Sequence, residues 1–239
     1  MTIDVRTLSI NARRSGVTSF SDTFQRAGPI GPNWSYGYRT STPFTAAICL
    51  QDCSIGASSF DGLNALLWFN EGITNPTDIW QSCLIPSQLQ STCDSRQQFS
   101  EWKVIAFTNS GGQQMLAGPS VCQVLGDQGL KCYFLLHNSS TQQMAVFRND
   151  GNNNIVFIGN IGNTPFVSGD VNRISATFNV SDTTVIFSKN GTVIDTVVDN
   201  SGSRLLSGCP GFFVSTMGNT AAIVYHSEWR NFRGGLGLG

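Results

Sequence analysis

His226 and Glu228 stand two residues apart in YHSEW, a spacing that places both side chains on one face of an extended strand. An imidazole beside a carboxylate has the makings of a general acid and base. The rest of the catalytic inventory is thin: the glutamates are Glu71, Glu101 and Glu228, and the histidines are His137 and His226. The aspartates sit mostly in turn contexts such as Asp61-Gly62, Asp127-Gln128-Gly129 and Asp150-Gly151. Hydrolysis of a glycosidic bond needs two carboxylates on opposite sides of the scissile bond, and such a pair is not visible. There is no G-x-S-x-G elbow or phosphate loop, and GGLGLG at 234–239 lacks the strand and helix that a dinucleotide fingerprint requires. The expectation is a protein that is not an enzyme.

Metal ligation is judged by the same standard. Cys49 and Cys53 have tolerable zinc spacing, but no second close Cys or His pair follows. Arg148 to Asn154, RNDGNNN, offers oxygen donors of the kind Ca²⁺ takes, and turn formation accounts for the same residues. No metal and no cofactor are expected. The seven cysteines are Cys49, Cys53, Cys83, Cys93, Cys122, Cys132 and Cys209. Their odd count, with no apolar export signal read at the start, argues for at least one free thiol and for mostly reduced, buried cysteines.

The elements that must position these residues read as strands. QFSEWKVIAF alternates Phe99, Glu101, Lys103 and Ile105 against Ser100, Trp102, Val104 and Ala106 before NSGG stops it. LKCYFLLHN, MAVFRND, NNIVFIGN, RISATFNV, TVIFSK and TVIDTVV follow at short intervals, each bounded by Gly, Asn, Asp or Ser. Asn190-Gly191 supplies the two positive φ values of a type I′ turn. It predicts pairing of Lys189 with Thr192, Phe187 with Ile194 and Ile186 with Asp195. The region 40–96 is less regular: DGLNALLWFNEG reads as a buried strand or a short helix, and NPTDIWQSCLIP has a helix start, with Asn75 as cap and Pro76 in the first turn.

At 239 residues one large domain is the default. Charged residues make up 12% of the chain and the formal net charge is -1, so no global positive field exists to hold nucleic acid or an anionic membrane. Neither is expected as a partner. No run of about 18 apolar residues spans a bilayer.

Ser21 to Trp34, SDTFQRAGPIGPNW, then acquires a meaning. Asp22, Phe24, Arg26, Gly31 and Trp34 resemble the D-x-F-x-R … G-x-x-W opening strand of concanavalin A-like, laminin-G-like jelly-roll domains. The closing strands are similar too, with an NG-x-x-V hairpin at Asn190 and Gly191, an SG-x-PG turn carrying Gly208, Pro210 and Gly211, and a final W-x-x-F. The chain departs from the pattern at AGP and in the long region after Trp34. The resemblance implies an all-β fold, an antiparallel two-sheet jelly-roll sandwich with a loop-rich elaboration and little helix. In this reading 1–20 form an N-terminal arm, 21–233 the jelly roll with 40–96 as an insertion, and 234–239 a Gly-rich tail.

Glycan hydrolases and lyases occur on this fold, but the E-x-D-x-x-E pattern of its glucanases is missing, as are the R-x-E-x-R, Q-I-H and Y-x-K-x-G strands of its alginate lyases. Two function classes remain. One is a non-enzymatic virion structural protein, a phage capsid decoration, head fibre or tail-associated subunit, made in the host cytoplasm without an export signal. Its arm residues Ile3, Val5, Arg6, Leu8 and Ile10 would add a strand to another virion protein or to a copy of itself. The other is an extracellular lectin-like module whose Trp68, Trp80, Trp102 and Tyr133 stack on sugar rings. The two are compatible, since a virion protein can also hold surface glycans.

Overall fold

The computed structural model of the chain describes residues 19–26, 33–40, 53–58, 61–70, 80–87, 89, 96–109, 114–124, 131–138, 143–151, 154–163, 166–216 and 225–237, the side chains of some strand residues excepted. The period-2 pattern of the sequence becomes two antiparallel sheets, with no helix among the described residues. One sheet runs, in spatial order, β13 (Thr192–Asp199), β12 (Thr183–Lys189), β11 (Val171–Phe178), β6 (Gln97–Asn109), β15 (Tyr225–Leu236), β4 (Asn64–Asn70) and β3 (Cys53–Ala57). β1 (Ser19–Asp22) pairs with the distal half of β15, setting Asp22 opposite Phe232 and Ser19 opposite Gly235. The other sheet runs β10 (Ile155–Asn160), β9 (Gln143–Asp150), β8 (Lys131–Asn138), β7 (Gln114–Val124), β14 (Cys209–Thr216), β5 (Trp80–Pro86) and β2 (Trp34–Thr40).

The space between the sheets is filled by aromatic rings from strands distant in sequence. Trp102 lies 5.5 Å from Phe24, 4.7 Å from Phe212 and 4.8 Å from Phe232, centroid to centroid. Trp229 meets Phe212 edge-on at 5.1 Å. Rings at these separations and tilts add to the burial of their own large apolar area.

The opening motif is a fold device. The Asp22 carboxylate accepts from the Phe24 N–H at 2.8 Å, from both terminal nitrogens of Arg26 at 2.7 and 2.9 Å, and from Trp34 Nε1–H at 2.9 Å. That set holds Phe24 at a φ of 56° and carries its ring into the core, where it is fully buried. Gly31 lies outside the described residues. In the closing motif, Gly208 has a φ of 123°, and a Cβ there would come within 2.4 Å of the Cys122 carbonyl carbon. Only glycine fits that backbone contact. The Gly208 carbonyl accepts from Gln98 Nε2, and the Gly211 carbonyl accepts from Ser100 Oγ at 2.6 Å, so the turn ties the two sheets together. Pro210 is buried within β14.

Several sequence-based expectations need correction. Asn190 and Gly191 take positive φ as expected, and Lys189 pairs with Thr192. Phe187 and Ile186, however, pair with Asp195 and Thr196, because the register shifts between Phe187 and Ser188. The extra residue of this bulge lets Ile194 pack toward the core while Phe187 stays fully buried. Of the two alternatives for DGLNALLWFNEG the strand holds, as β4 at Asn64–Asn70, while Trp80–Pro86 of the expected helix is strand β5. Both pair on two sides, and in β5 the ladder hydrogen bonds override the local helix signal. Within 40–96, β3 and β4 belong to one sheet and β5 to the other. Within the Gly-rich 234–239, Gly234 to Leu236 pair with Ser100 to Gln98. Cys122 is free and buried, in line with the expected free thiol, Cys132 is buried, and Cys209 is disulfide-bonded.

Candidate functional site

Two of the four residues expected to stack on sugars are core residues. Trp102 and Tyr133 are 0% exposed. Trp102 sits among the core rings and donates to Ser100 Oγ at 3.1 Å, so neither of its faces meets solvent. Tyr133 points into the buried charge cluster described below. Both are corrected to structural residues, because large rings on the inner face of a sandwich are its core. Trp68 and Trp80 are placed by their backbones in β4 and β5, opposite Ser227 and Thr216, and their side chains lie outside the description. The arm residues Ile3, Val5, Arg6, Leu8 and Ile10 also lie outside the described residues.

Of the His226 and Glu228 spacing weighed as an acid-base pair, the structure describes the Glu228 side chain alone. Glu228 is fully buried on β15, out of reach of a substrate. In the turn considered for Ca²⁺, Asn149 Oδ1 accepts from the Gly151 N–H and Asp150 Oδ2 accepts from Asn154 Nδ2, so these oxygens serve the turn itself.

An open cleft of about 860 Å³ lies at one end of the β1-containing sheet, where β6 begins and β11 ends. Arg96, Gln97, Asn179, Val180, Arg204 and Leu206 are among its walls, and Thr177 and Phe178 complete them. Each wall has a local cause. Phe178 N–H donates to the Arg96 carbonyl at 2.8 Å, extending the β6–β11 ladder and holding Arg96 beside the strand end. Asn179 then starts a tight turn: its N–H donates to the Asp182 carbonyl at 2.9 Å and its Nδ2 to Asp182 Oδ1 at 2.7 Å. Val180 at the tip of this turn is 94% exposed.

The opposite wall is the loop after β13, and a buried ionic cluster positions it. Asp199 accepts from Arg148 Nη1, from Tyr133 O–H at 2.7 Å and from the Ser201 N–H at 3.0 Å. Arg148 also donates to Ser201 Oγ and Ser203 Oγ at 2.7 and 2.8 Å, and the Leu205 N–H donates to Tyr133 Oη at 3.1 Å. Burial pushes the Asp199 carboxyl up, but its hydrogen bonds from Tyr133, Ser201 and Arg148 outweigh that and leave it below the usual carboxylate range. Burial, and then the bond to Asp199, push the Tyr133 phenol well up. The cluster therefore keeps Asp199 ionised and Tyr133 protonated across ordinary pH. It holds the stretch that presents Arg204 and Leu206 to the cleft.

Within the cleft, Arg204 donates to the Val180 carbonyl at 2.7 Å and to the Ser201 carbonyl at 3.3 Å, bridging the two walls. Leu206 is 54% exposed. Arg96 and Arg204 were not singled out from the sequence. Each looks like an ordinary turn-flanking arginine there, and no periodicity joins positions so far apart in the chain.

No family model matches the sequence, and no curated protein matches it by sequence comparison. Solved structures do match its fold. LamAcat from Zobellia galactanivorans is similar with a TM-score of 0.53 at 13% identity, over 94% of this chain and 98% of the other. The endo-1,3-beta-glucanase from Streptomyces sioyaensis is similar with a TM-score of 0.53 at 15% identity, over 95% of this chain and 99% of the other. The alginate lyase Aly36B gives 0.53 at 8% identity, over 94% and 98%. With two antiparallel sheets and these structural neighbours, the chain has the concanavalin A-like jelly-roll fold.

Proposed function

We propose that this protein is a non-catalytic, glycan-binding jelly-roll module and that the cleft between Arg96 and Arg204 is its saccharide site. The observation that carries this reading is the cleft itself. It combines guanidinium and amide donors with the exposed apolar side chains of Val180 and Leu206, the mixture a sugar presents in reverse through its hydroxyls and C–H faces. Support for a non-catalytic role comes from the described carboxylates. Asp22, Asp61, Asp199 and Glu101 face arginines, Asp170 faces Lys189, Glu228 is buried, and Asp150, Asp182 and Asp195 accept hydrogen bonds from residues close in the chain. A glycosidase needs two of them turned to the substrate.

An array of immobilised neutral and acidic oligosaccharides tests the reading, with Leu206→Glu as the control variant. Retention of a glycan by the wild type and its loss in the variant is the expected result. Retention unchanged by the variant, or no retention of any glycan, rejects the cleft as a saccharide site.

A second reading places the module on a virus particle. It is favoured by the alternation of Ile3 and Val5, then Leu8 and Ile10, which suits strand addition to a neighbour. The disulfide-bonded Cys209 suits an oxidising, particle-surface setting. Sedimentation of nuclease-treated particles with mass spectrometry tests it: stoichiometric co-purification with protected nucleic acid is expected, and recovery only as free protein rejects it.

A further inference from the structure

We infer that the cleft selects saccharides carrying a carboxylate or sulfate group, with Arg96 and Arg204 as its anion-recognising residues. This rests on the reading of the cleft as a saccharide site. The argument starts from how the chain uses its other arginines. Arg26 faces Asp22, Arg148 faces Asp199, Arg230 faces Asp61, and Arg173 and Arg233 both face Glu101. Among the described arginine side chains, Arg96 and Arg204 alone have no carboxylate within ion-pair distance, and both line the same cleft.

Their hydrogen bonding points the same way. Arg204 is oriented by two backbone carbonyls, which fix the plane of its guanidinium without neutralising it, and its buried Nε has no acceptor. Arg96 is exposed, and its side chain has no hydrogen-bond acceptor among the described residues. The carboxylate that acts electrostatically on Arg204 is Asp182. Asp182 is already engaged: Oδ1 accepts from Asn179 Nδ2 and Thr184 Oγ1, and Oδ2 accepts from Ser181 Oγ. Among the described residues, one negative charge committed to a turn stands beside two guanidiniums at the cleft.

The chemistry then separates acidic from neutral sugars. A guanidinium presents paired N–H donors that match a carboxylate or sulfate in a bidentate fork, whereas a hydroxyl engages one donor and returns no charge. Val180 and Leu206 at the rim offer an apolar surface to the ring that bears the anionic group. The volume of about 860 Å³ is the size of a pocket for a few sugar units rather than for a lone ion.

Calorimetric titration of the full chain with matched probes tests this. One pair is an oligogalacturonate tetramer and its methyl ester; another is a sulfated hexasaccharide and its desulfated form. Tetraglutamate serves as a non-saccharide polyanion. The expected result is that an anionic sugar binds at least tenfold tighter than its neutral twin, weakens as salt is raised, and loses at least tenfold in Arg96→Gln. Tetraglutamate should bind at least tenfold more weakly than that sugar. Equal affinity within both pairs overturns the anion selectivity and leaves the saccharide reading standing. Equal affinity for tetraglutamate and the acidic sugar overturns saccharide recognition in favour of bare charge. Silence of all the sugar probes overturns the inference, and silence on the array as well removes the saccharide reading with it. Unchanged acidic-sugar affinity in Arg96→Gln, with the fold intact by circular dichroism, relocates the site.

Discussion

Two arginine settings divide this molecule. Arg148 is buried to 3% exposure with its partner Asp199, and serines and a tyrosine take up the neighbouring hydrogen-bonding capacity. Arg204, on the loop that this cluster holds, meets only backbone carbonyls and opens onto a cleft shared with Arg96. The first setting has its ion-pair partner in place without a ligand. The second holds its side chains in place and leaves their charge without an ion-pair partner, which is what preorganised recognition of an anion requires. The difference teaches that residue type carries little functional information here, and that the partner decides.

The comparison breaks most readily at the buried cluster. Arg148→Ala strands the Asp199 carboxylate in the interior, and a loss of about 3–5 kcal/mol is expected from the urea midpoint. A loss below about 1 kcal/mol would mean that the cluster does not hold the loop. Asp22→Ala is the next largest effect. It removes the acceptor for Arg26, for Trp34 Nε1–H and for the Phe24 N–H at once. About 2–3 kcal/mol of destabilisation is expected, since buried donors then lack partners.

Acid sharpens the contrast with a smaller, graded effect. Burial pushes the Asp22 carboxyl up, and its bonds from Arg26, Trp34 and the Phe24 amide more than offset this, so Asp22, like Asp199, lies below the usual carboxylate range. Near the ordinary carboxylate pKa the unfolded chain therefore binds more protons than the folded one. The stability from these groups is complete above about pH 5 and is lost as the pH falls through their depressed folded values. Urea midpoints followed from pH 7 to pH 3 should fall, and Asp22→Asn should flatten part of that decline. A midpoint that rises on acidification would contradict the assignment. The smallest effect belongs to the cleft: Arg96→Gln should leave stability within about 0.5 kcal/mol, as for surface positions without special contacts. A larger loss by thermal unfolding would make Arg96 structural and dissolve the comparison.

Much of the fold was legible in the sequence because its devices are local. Asn190-Gly191 turns the chain through two positive φ values that its neighbours cannot change, and the short β-branched runs alternate with turn residues from β6 onward. The opening motif was legible as well, since Asp22 and Arg26 act within one turn of chain. Reading failed where the ladder outweighed local preference. Trp80–Pro86 became a strand between β2 and β14 despite a helix-start signal before it, and a bulge displaced the pairing of Phe187.

The sequence by itself determined the class of the molecule: short alternating strands and turn chemistry at fixed positions admit an antiparallel sandwich or barrel, and the opening and closing motifs resemble those of a jelly roll. Only the tertiary structure decided which aromatics are core and which arginines are unpaired. Trp102 and Tyr133 read as surface candidates until opposing strands closed over them. Arg96 and Arg204 became neighbours only when the end of β11 and the loop after β13 met at one edge. Local propensity acts over a few residues, whereas burial and charge pairing depend on contacts between segments far apart in the chain, and those contacts exist only once the sheets have stacked.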